Sequence, residues 1–112
     1  MTNDMTNNTT FTVEDRTYEI AFNIGRIKLY ERGHAPVMTS ISKNGGTFSI
    51  DELQSLAAFG LRCEGGSYVD TKRAMKMAEK LIETNGYLVV FQNVMTALER
   101  DCGFFFKEMS AD

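Results

Sequence analysis

The chain has 112 residues and a net charge of −3, with 43% apolar residues, 24% charged residues and one proline. This composition is typical of one globular domain, and it excludes collagen-like, mucin-like and wholly disordered proteins. The negative charge gives no general attraction to nucleic acid or anionic lipid, and the longest apolar run, 87–91, is far too short to cross a membrane.

The two ends of the chain are predicted to lie outside the folded domain. Residues 1–9 are polar, so we expect a flexible tail there, a single α+β domain over residues 10–107 and a second tail over residues 108–112. The N-terminal tail lacks the basic and apolar regions of a secretory signal, which predicts a cytoplasmic protein. In that reducing compartment Cys63 and Cys102 are expected to be free thiols.

Two short runs near the N-terminus alternate apolar with polar residues, as do strands with one buried face. The apolar positions are Phe11, Val13, Tyr18, Ile20 and Phe22. This pattern predicts a β-hairpin with a turn around residues 14–16, whose type stays open because the Asn-Gly signal is absent. Two strands alone cannot bury these large side chains, so helices must cover the apolar face.

The next segment predicts a short helix followed by a loop. Asn23 is a suitable N-cap residue, and the apolar spacing through Tyr30 favours a helix that ends near Gly33. Residues 37–48 have few apolar anchors, so we expect a mobile loop there, with a short strand over residues 37–41 as the alternative.

Three longer helices are predicted in the second half of the chain. Ser49 and Glu52 form a capping-box pattern ahead of a helix over residues 50–61. Ser67 and Asp70 repeat this pattern ahead of a helix that ends at residues 85–86, and a fourth helix covers residues 87–101. The predicted fold is α+β, an N-terminal β-hairpin packed against a bundle of about four helices. Its predicted core places Val13, Tyr18, Ile20 and Phe22 under Leu53, Leu56, Leu81, Phe91 and Leu98.

The chain shows no pattern typical of an enzyme or of a cofactor site. His34 is its one histidine and lies between Gly33 and Pro36, so we expect a solvated loop residue rather than a general base or metal ligand. Two glycine pairs lack the flanking residues of phosphate-binding loops and predict turns. We therefore expect no catalytic residues, no metal and no cofactor.

A row of lysine residues on the third predicted helix has two interpretations. Lys72, Lys76 and Lys80 share one face, as basic residues do on the recognition helix of a DNA-binding helix-turn-helix. Glu79 and Glu83 lie about one turn from these lysines and partly neutralise them. A solvated helix face is the favoured interpretation, and DNA binding is kept as the alternative.

Three consecutive aromatic residues, 104–106, lie at the end of the predicted domain. On a helix they would spread over about 200°, so at least one ring would lack a place in the core. If the last helix continues, Phe104 falls on its polar side with Val89, whereas a break at Gly103 folds the rings back onto the hairpin. We predict Val89, Phe104 and Phe106 as a partner contact, used for self-association or for another protein.

The order of these elements resembles that of one known family. The hairpin over residues 11–22 is followed at once by residues 23–31, which read NIGRIKLYE, and then by a loop and three helices. This arrangement resembles the small tail assembly chaperones of long-tailed bacteriophages and prophages, over residues 11–106. In that family a hairpin ends in an aromatic residue, and Ile-Gly and a helix rich in Leu and Glu follow it.

The resemblance implies a protein-binding role in the cytoplasm of a bacterial host rather than an enzymatic one. Such chaperones keep the long, largely helical tape-measure protein in solution and bring tail-tube subunits to it during tail assembly. These two proteins are the implied partners, and a homo-oligomer is left open. The seven Met and eight Phe residues offer adaptable apolar contacts for this role. The alternative function is a small phage or prophage regulator that binds DNA through residues 72–80.

Overall fold

The computed structural model describes residues 9–43 and 45–106, and the predicted tails fall outside this part of the chain apart from Thr9, which is buried. The element order is β1 (Thr10–Val13), β2 (Arg16–Ile20), α1 (Ile24–Gly33), α2 (Val37–Lys43), α3 (Ile50–Gly60), β3 (Leu61–Cys63), α4 (Thr71–Asn85) and α5 (Tyr87–Asp101). A 3₁₀ turn, Gly103–Phe105, follows α5. The α+β class and the N-terminal hairpin are confirmed, and the described residues form five α-helices rather than about four.

The sheet is antiparallel, and its three strands lie in the order β1-β2-β3. In the hairpin, Phe11 lies opposite Tyr18 and Val13 lies opposite Arg16. Both residues between the strands have positive φ, 49° at Glu14 and 69° at Asp15. Positive φ at both central positions is typical of a type I′ turn, whose twist matches that of the flanking strands.

Three helix ends follow the predicted caps. Asn23 accepts a hydrogen bond from the backbone N–H of Arg26 at 2.9 Å and begins α1. The side chain of Ser49 accepts from the N–H of Glu52, and the Glu52 carboxylate accepts from the N–H of Ser49, which completes the capping box of α3. Gly86, with φ of 93°, separates α4 from α5. These local signals were sufficient because caps depend on residues close in sequence.

Residues 37–43 form helix α2, so the predicted loop and its alternative strand are both wrong over these residues. Val37 is fully buried, and its N–H donates to the carboxylate of Glu31 in α1 at 2.8 Å. Ser40 is also buried, and its hydroxyl donates to the carboxylate of Glu52 in α3 at 2.8 Å. Neighbouring helices therefore satisfy the polar groups of a segment whose own apolar pattern is weak.

The third strand is a second element that the sequence pattern does not predict. Leu61 follows α3 directly and lies opposite Ile20 of β2. Three residues are too few to show the alternation that identifies a strand.

The backbone beside β3 also corrects the start of α4. The carbonyl of Ser67 accepts the N–H of Cys63, and the N–H of Val69 donates to Leu61, so this segment is extended. The predicted cap at Ser67 is therefore wrong. Asp70 is the N-cap instead, and its carboxylate accepts the N–H of Arg73 at 3.3 Å.

The core lies between the sheet and helices α3, α4 and α5, and α1 and α2 add Ile27, Tyr30 and Val37 to it. Its predicted members are buried with the exception of Val13 and Phe91, which are half-buried and pack against it. At the end of α3 the backbone approaches the ring of Phe22 so closely that a Cβ on Gly60 would stand 2.7 Å from two ring carbons. A glycine is needed there for the sheet and α3 to meet.

Candidate functional site

A groove of about 570 Å³ lies between the β1–β2 hairpin and α4. We call it the hairpin groove, and it is lined by Phe11, Val13, Glu14, Arg73, Lys76, Met77, Lys80 and Leu81. Alternation along β1 brings Phe11 and Val13 to one face of the strand, and a spacing of four residues brings Met77 and Leu81 to one face of α4. The same strand alternation and helix spacing that place side chains in the core therefore also place the apolar residues of the groove.

The hairpin groove has an apolar floor and a positively charged rim. Phe11 and Leu81 are buried, whereas Val13 and Met77 are half-buried and present apolar surface. Glu14 is the one carboxylate of the lining, against three exposed cations, Arg73, Lys76 and Lys80. The lining offers apolar contact and positive charge but no serine, cysteine or histidine nucleophile.

One rim cation, Arg73, is held in position by the buried Tyr18 of β2. The Nη2 atom of Arg73 donates to the hydroxyl of Tyr18 at 3.0 Å, and its guanidinium carbon lies 5.9 Å from the centre of that ring. Tyr18 is buried and stacks on Phe11, with ring centres 5.8 Å apart. Arg73 therefore joins α4 to the sheet.

The flank of α4 that faces α3 carries a smaller cleft of about 220 Å³ with the opposite charge. We call it the acidic cleft, and it is lined by Ile50, Gln54, Glu79, Ile82 and Glu83. Ile50 is 62% exposed, and both glutamates are exposed. Met77 of the hairpin groove and Ile82 of the acidic cleft are separated by about 140° around the α4 axis, so the two surfaces face different directions.

The predicted partner contact is divided by the structure. Phe104 and Phe106 are 48% and 41% exposed, whereas Phe105 between them packs against the core. Helix α5 ends before Gly103, so residues 104–106 do not extend it. Their three rings do not all fold back onto the core either. Val89 is half-buried in the first turn of α5, about 18 Å of helix from the end of α5. Phe104 and Phe106 are therefore exposed on either side of Phe105 in the chain, at the opposite end of α5 from Val89.

A cluster of charged groups with shifted pKa values lies at the end of β2. Burial is the largest influence on the Glu19 carboxyl and would raise its pKa, but hydrogen bonds from Arg62 and Gly65 outweigh burial and lower it. The hydrogen bond from Arg100 is the main cause of the lowered pKa of Asp101, which also accepts the N–H of Phe22. Shifted pKa values can mark catalytic sites. Here each carboxylate is already paired, so the cluster stabilises the fold.

The structure places His34 in a different setting from the solvated loop that the sequence predicts. Its ring stacks on the buried Tyr30, with centres 4.5 Å apart, and Nδ1 lies 3.2 Å from the Tyr30 carbonyl oxygen. Helix α1 ends one residue earlier, so His34 covers the end of that helix. Among the described residues no group of three or more His, Cys, Asp and Glu side chains is arranged to hold a metal ion.

The lysine row on α4 is exposed at Lys72, Lys76 and Lys80. Residues 61–70, which include β3, separate α3 from α4. A helix-turn-helix joins its helices through a turn of about three or four residues. The row therefore lacks the helix pair that places a recognition helix in the major groove.

Comparison of this chain with protein-family models, with curated proteins and with solved structures gives no match. None of the helices in residues 9–43 and 45–106 has the length and apolar character needed to span a bilayer. The groove itself is the basis for a functional proposal. Its two halves, residues 11–14 and 73–81, are far apart in sequence, and only the fold shows that they meet.

Proposed function

We propose that this protein is a non-enzymatic tail assembly chaperone of a phage or prophage, which holds the tape-measure protein and helps to recruit tail-tube subunits. The observation that carries the proposal is the hairpin groove. Its α4 side is lined by side chains from residues 73–81, so the groove runs along more than two turns of that helix. The partners come from the resemblance of residues 11–106 to that family.

The lining of the hairpin groove suits an apolar helix better than a small polar substrate. Amphipathic helices bind other proteins by laying an apolar face into such a groove. Met77 supplies a flexible, polarisable contact that adapts to different side chains along a long client. Lys76 and Lys80 at the rim would contact acidic residues beside the apolar face of the client helix.

The test is co-expression with the tape-measure protein encoded in the same genome, with the soluble fraction of that protein as the measurement. We expect the wild-type chain to keep the tape-measure protein in solution. The variant Met77→Glu should leave it insoluble, because the new carboxylate places a charge in the apolar floor of the groove. Met38→Glu is the matched control, since Met38 is 44% exposed on α2, away from the groove. Thermal unfolding of both variants checks that each is folded.

Two results would contradict the proposal. In the first, the wild-type chain leaves the tape-measure protein insoluble. In the second, the chain binds duplex DNA with an affinity that falls steeply with salt, because release of counterions from phosphate contacts produces such a slope. The second result would favour the DNA-binding regulator that uses Lys72, Lys76 and Lys80.

A further inference from the structure

We propose that the hairpin groove of one copy of this chain binds the acidic cleft of a second copy. In this contact the exposed Ile50 enters the apolar floor of the groove, and Glu79 and Glu83 face Lys76 and Lys80 of the other copy. The inference extends the proposed function, because the same groove would then be covered in the free protein and released when a client binds.

Charge complementarity identifies the second copy as the occupant. The groove rim has three cations against one carboxylate, and the acidic cleft has two carboxylates and no cation. Each surface also has an apolar centre, Met77 and Val13 in the groove and Ile50 and Ile82 in the cleft. Matched potentials around apolar centres are typical of specific protein contacts.

The positions of the two surfaces determine the kind of assembly. Their apolar centres lie on different flanks of one helix, α4, whereas their charged residues, Lys76 and Lys80 against Glu79 and Glu83, adjoin along it. Such a contact joins different patches and is head-to-tail, which gives a closed ring or an open chain instead of a two-fold dimer. Both patches are small, so the contact should be weak and reversible.

The contact should depend strongly on salt. Exposed charges are screened over about 10 Å at 0.1 M ionic strength and over about 3 Å at 1 M. Sedimentation of the purified full chain should therefore show species heavier than the 12.6 kDa monomer at high protein concentration and low salt, and fewer of them at high salt.

Two charge reversals test the pairing. Lys76→Glu/Lys80→Glu reverses the groove rim, and Glu79→Lys/Glu83→Lys reverses the cleft. Each variant alone should self-associate at least about tenfold more weakly than wild type, because like charges then face each other. An equimolar mixture should regain association, since each reversed surface meets an oppositely charged one. Lys28→Glu/Lys43→Glu is the control for net charge, because both of those lysines are exposed outside the groove lining.

Several outcomes would overturn the inference. One is a wild-type chain that stays monomeric at every concentration and salt. Another is a mixture that associates no better than its components. A third is self-association that survives both reversals but is lost in Phe104→Ser, which would place the contact at the C-terminal aromatic surface. None of these outcomes bears on whether the wild-type chain keeps the tape-measure protein in solution, so the proposed function stands or fails separately.

Discussion

The two edges of the sheet differ in how they are covered. Beyond β3 the chain turns back, and Tyr68 pairs with Arg62, donates its hydroxyl to the Ala21 carbonyl and lies under the guanidinium of Arg26 at 4.2 Å. Beyond β1 no further strand is present among the described residues, and the hairpin groove opens between this strand and α4. One edge is used to close the fold, whereas the other borders the hairpin groove.

We expect this difference to separate residues that carry stability from residues that carry the proposed binding. Unpaired strand edges are sites of association, and proteins cover the edges that they do not use. At the covered edge the buried Leu61 pairs with Ile20, and its carbonyl accepts the N–H of Val69. Truncation of a buried side chain there should cost much stability, whereas substitution of the half-buried Val13 of β1 should leave the protein folded.

The largest effect is expected for Leu61→Ala at the covered edge. Leu61 is fully buried and pairs with Ile20. Removal of its side chain loses transfer free energy and leaves a cavity, which costs about 2 to 5 kcal/mol. Chemical denaturation of the wild type and the variant measures the difference. A loss below about 1 kcal/mol would show that β3 contributes little to the fold.

Gly60→Ala should follow, because the added Cβ would stand 2.7 Å from the ring of the buried Phe22. Overpacking of this kind costs about 1 to 3 kcal/mol, which exceeds the gain of about 0.5 to 1 kcal/mol that alanine brings within a helix. The measurement is again the free energy of unfolding. A variant more stable than wild type would mean that the ring can move aside.

Asp101→Asn should have a smaller, pH-dependent effect. The paired Asp101 carboxylate has a pKa below its usual value of 3.8, so its contribution is present above that pH and is lost as the pH falls through the lowered pKa. We expect the variant to lose about 1 kcal/mol at neutral pH, where the hydrogen bonds from Arg100 and Phe22 are charge-assisted. Unfolding measured at successively lower pH should show the two proteins converging as the Asp101 carboxyl becomes protonated. A constant difference would assign the effect to packing.

The smallest stability change is expected at the open edge, for Val13→Thr. The substitution keeps the β-branched shape that suits a strand, and Val13 is only half-buried. We expect a loss of less than about 1 kcal/mol together with weaker tape-measure binding. If stability falls as far as in Leu61→Ala, the two edges do not differ in the way we infer.

Local signals predicted much of this fold. The caps at Asn23 and Ser49 and the break at Gly86 depend on neighbouring residues, so the sequence alone could place them. Helix α2 and strand β3 depend on partners outside their own segments. Side chains of α1 and α3 accept hydrogen bonds from α2, and β2 pairs with the backbone of β3. Such contacts are invisible in a short window of sequence.

The candidate site shows the same division. Residues 104–106 were predicted to leave a ring outside the core, and Phe104 and Phe106 are exposed because Phe105 takes the place available there. The hairpin groove was not predicted, although both halves were visible as an apolar strand face and as a lysine row beside Met77. Their meeting depends on the packing of α4 against the hairpin, to which Arg73 and Tyr18 contribute.

The pairing of Ile20 with Leu61 has a consequence for synthesis of the chain on the ribosome. Strand β2 is made before α1, α2 and α3, so one of its edges stays unpaired while about forty more residues are translated, which takes about 2 to 8 s. After β3 has paired with β2, the carbonyl of Ile20 and the N–H of Phe22 still lack their hydrogen-bond partners, Arg100 and Asp101, which are translated later. A nascent chain therefore carries an unpaired strand edge until β3 has been translated, and it is during this interval that neighbouring chains on one message could pair wrongly.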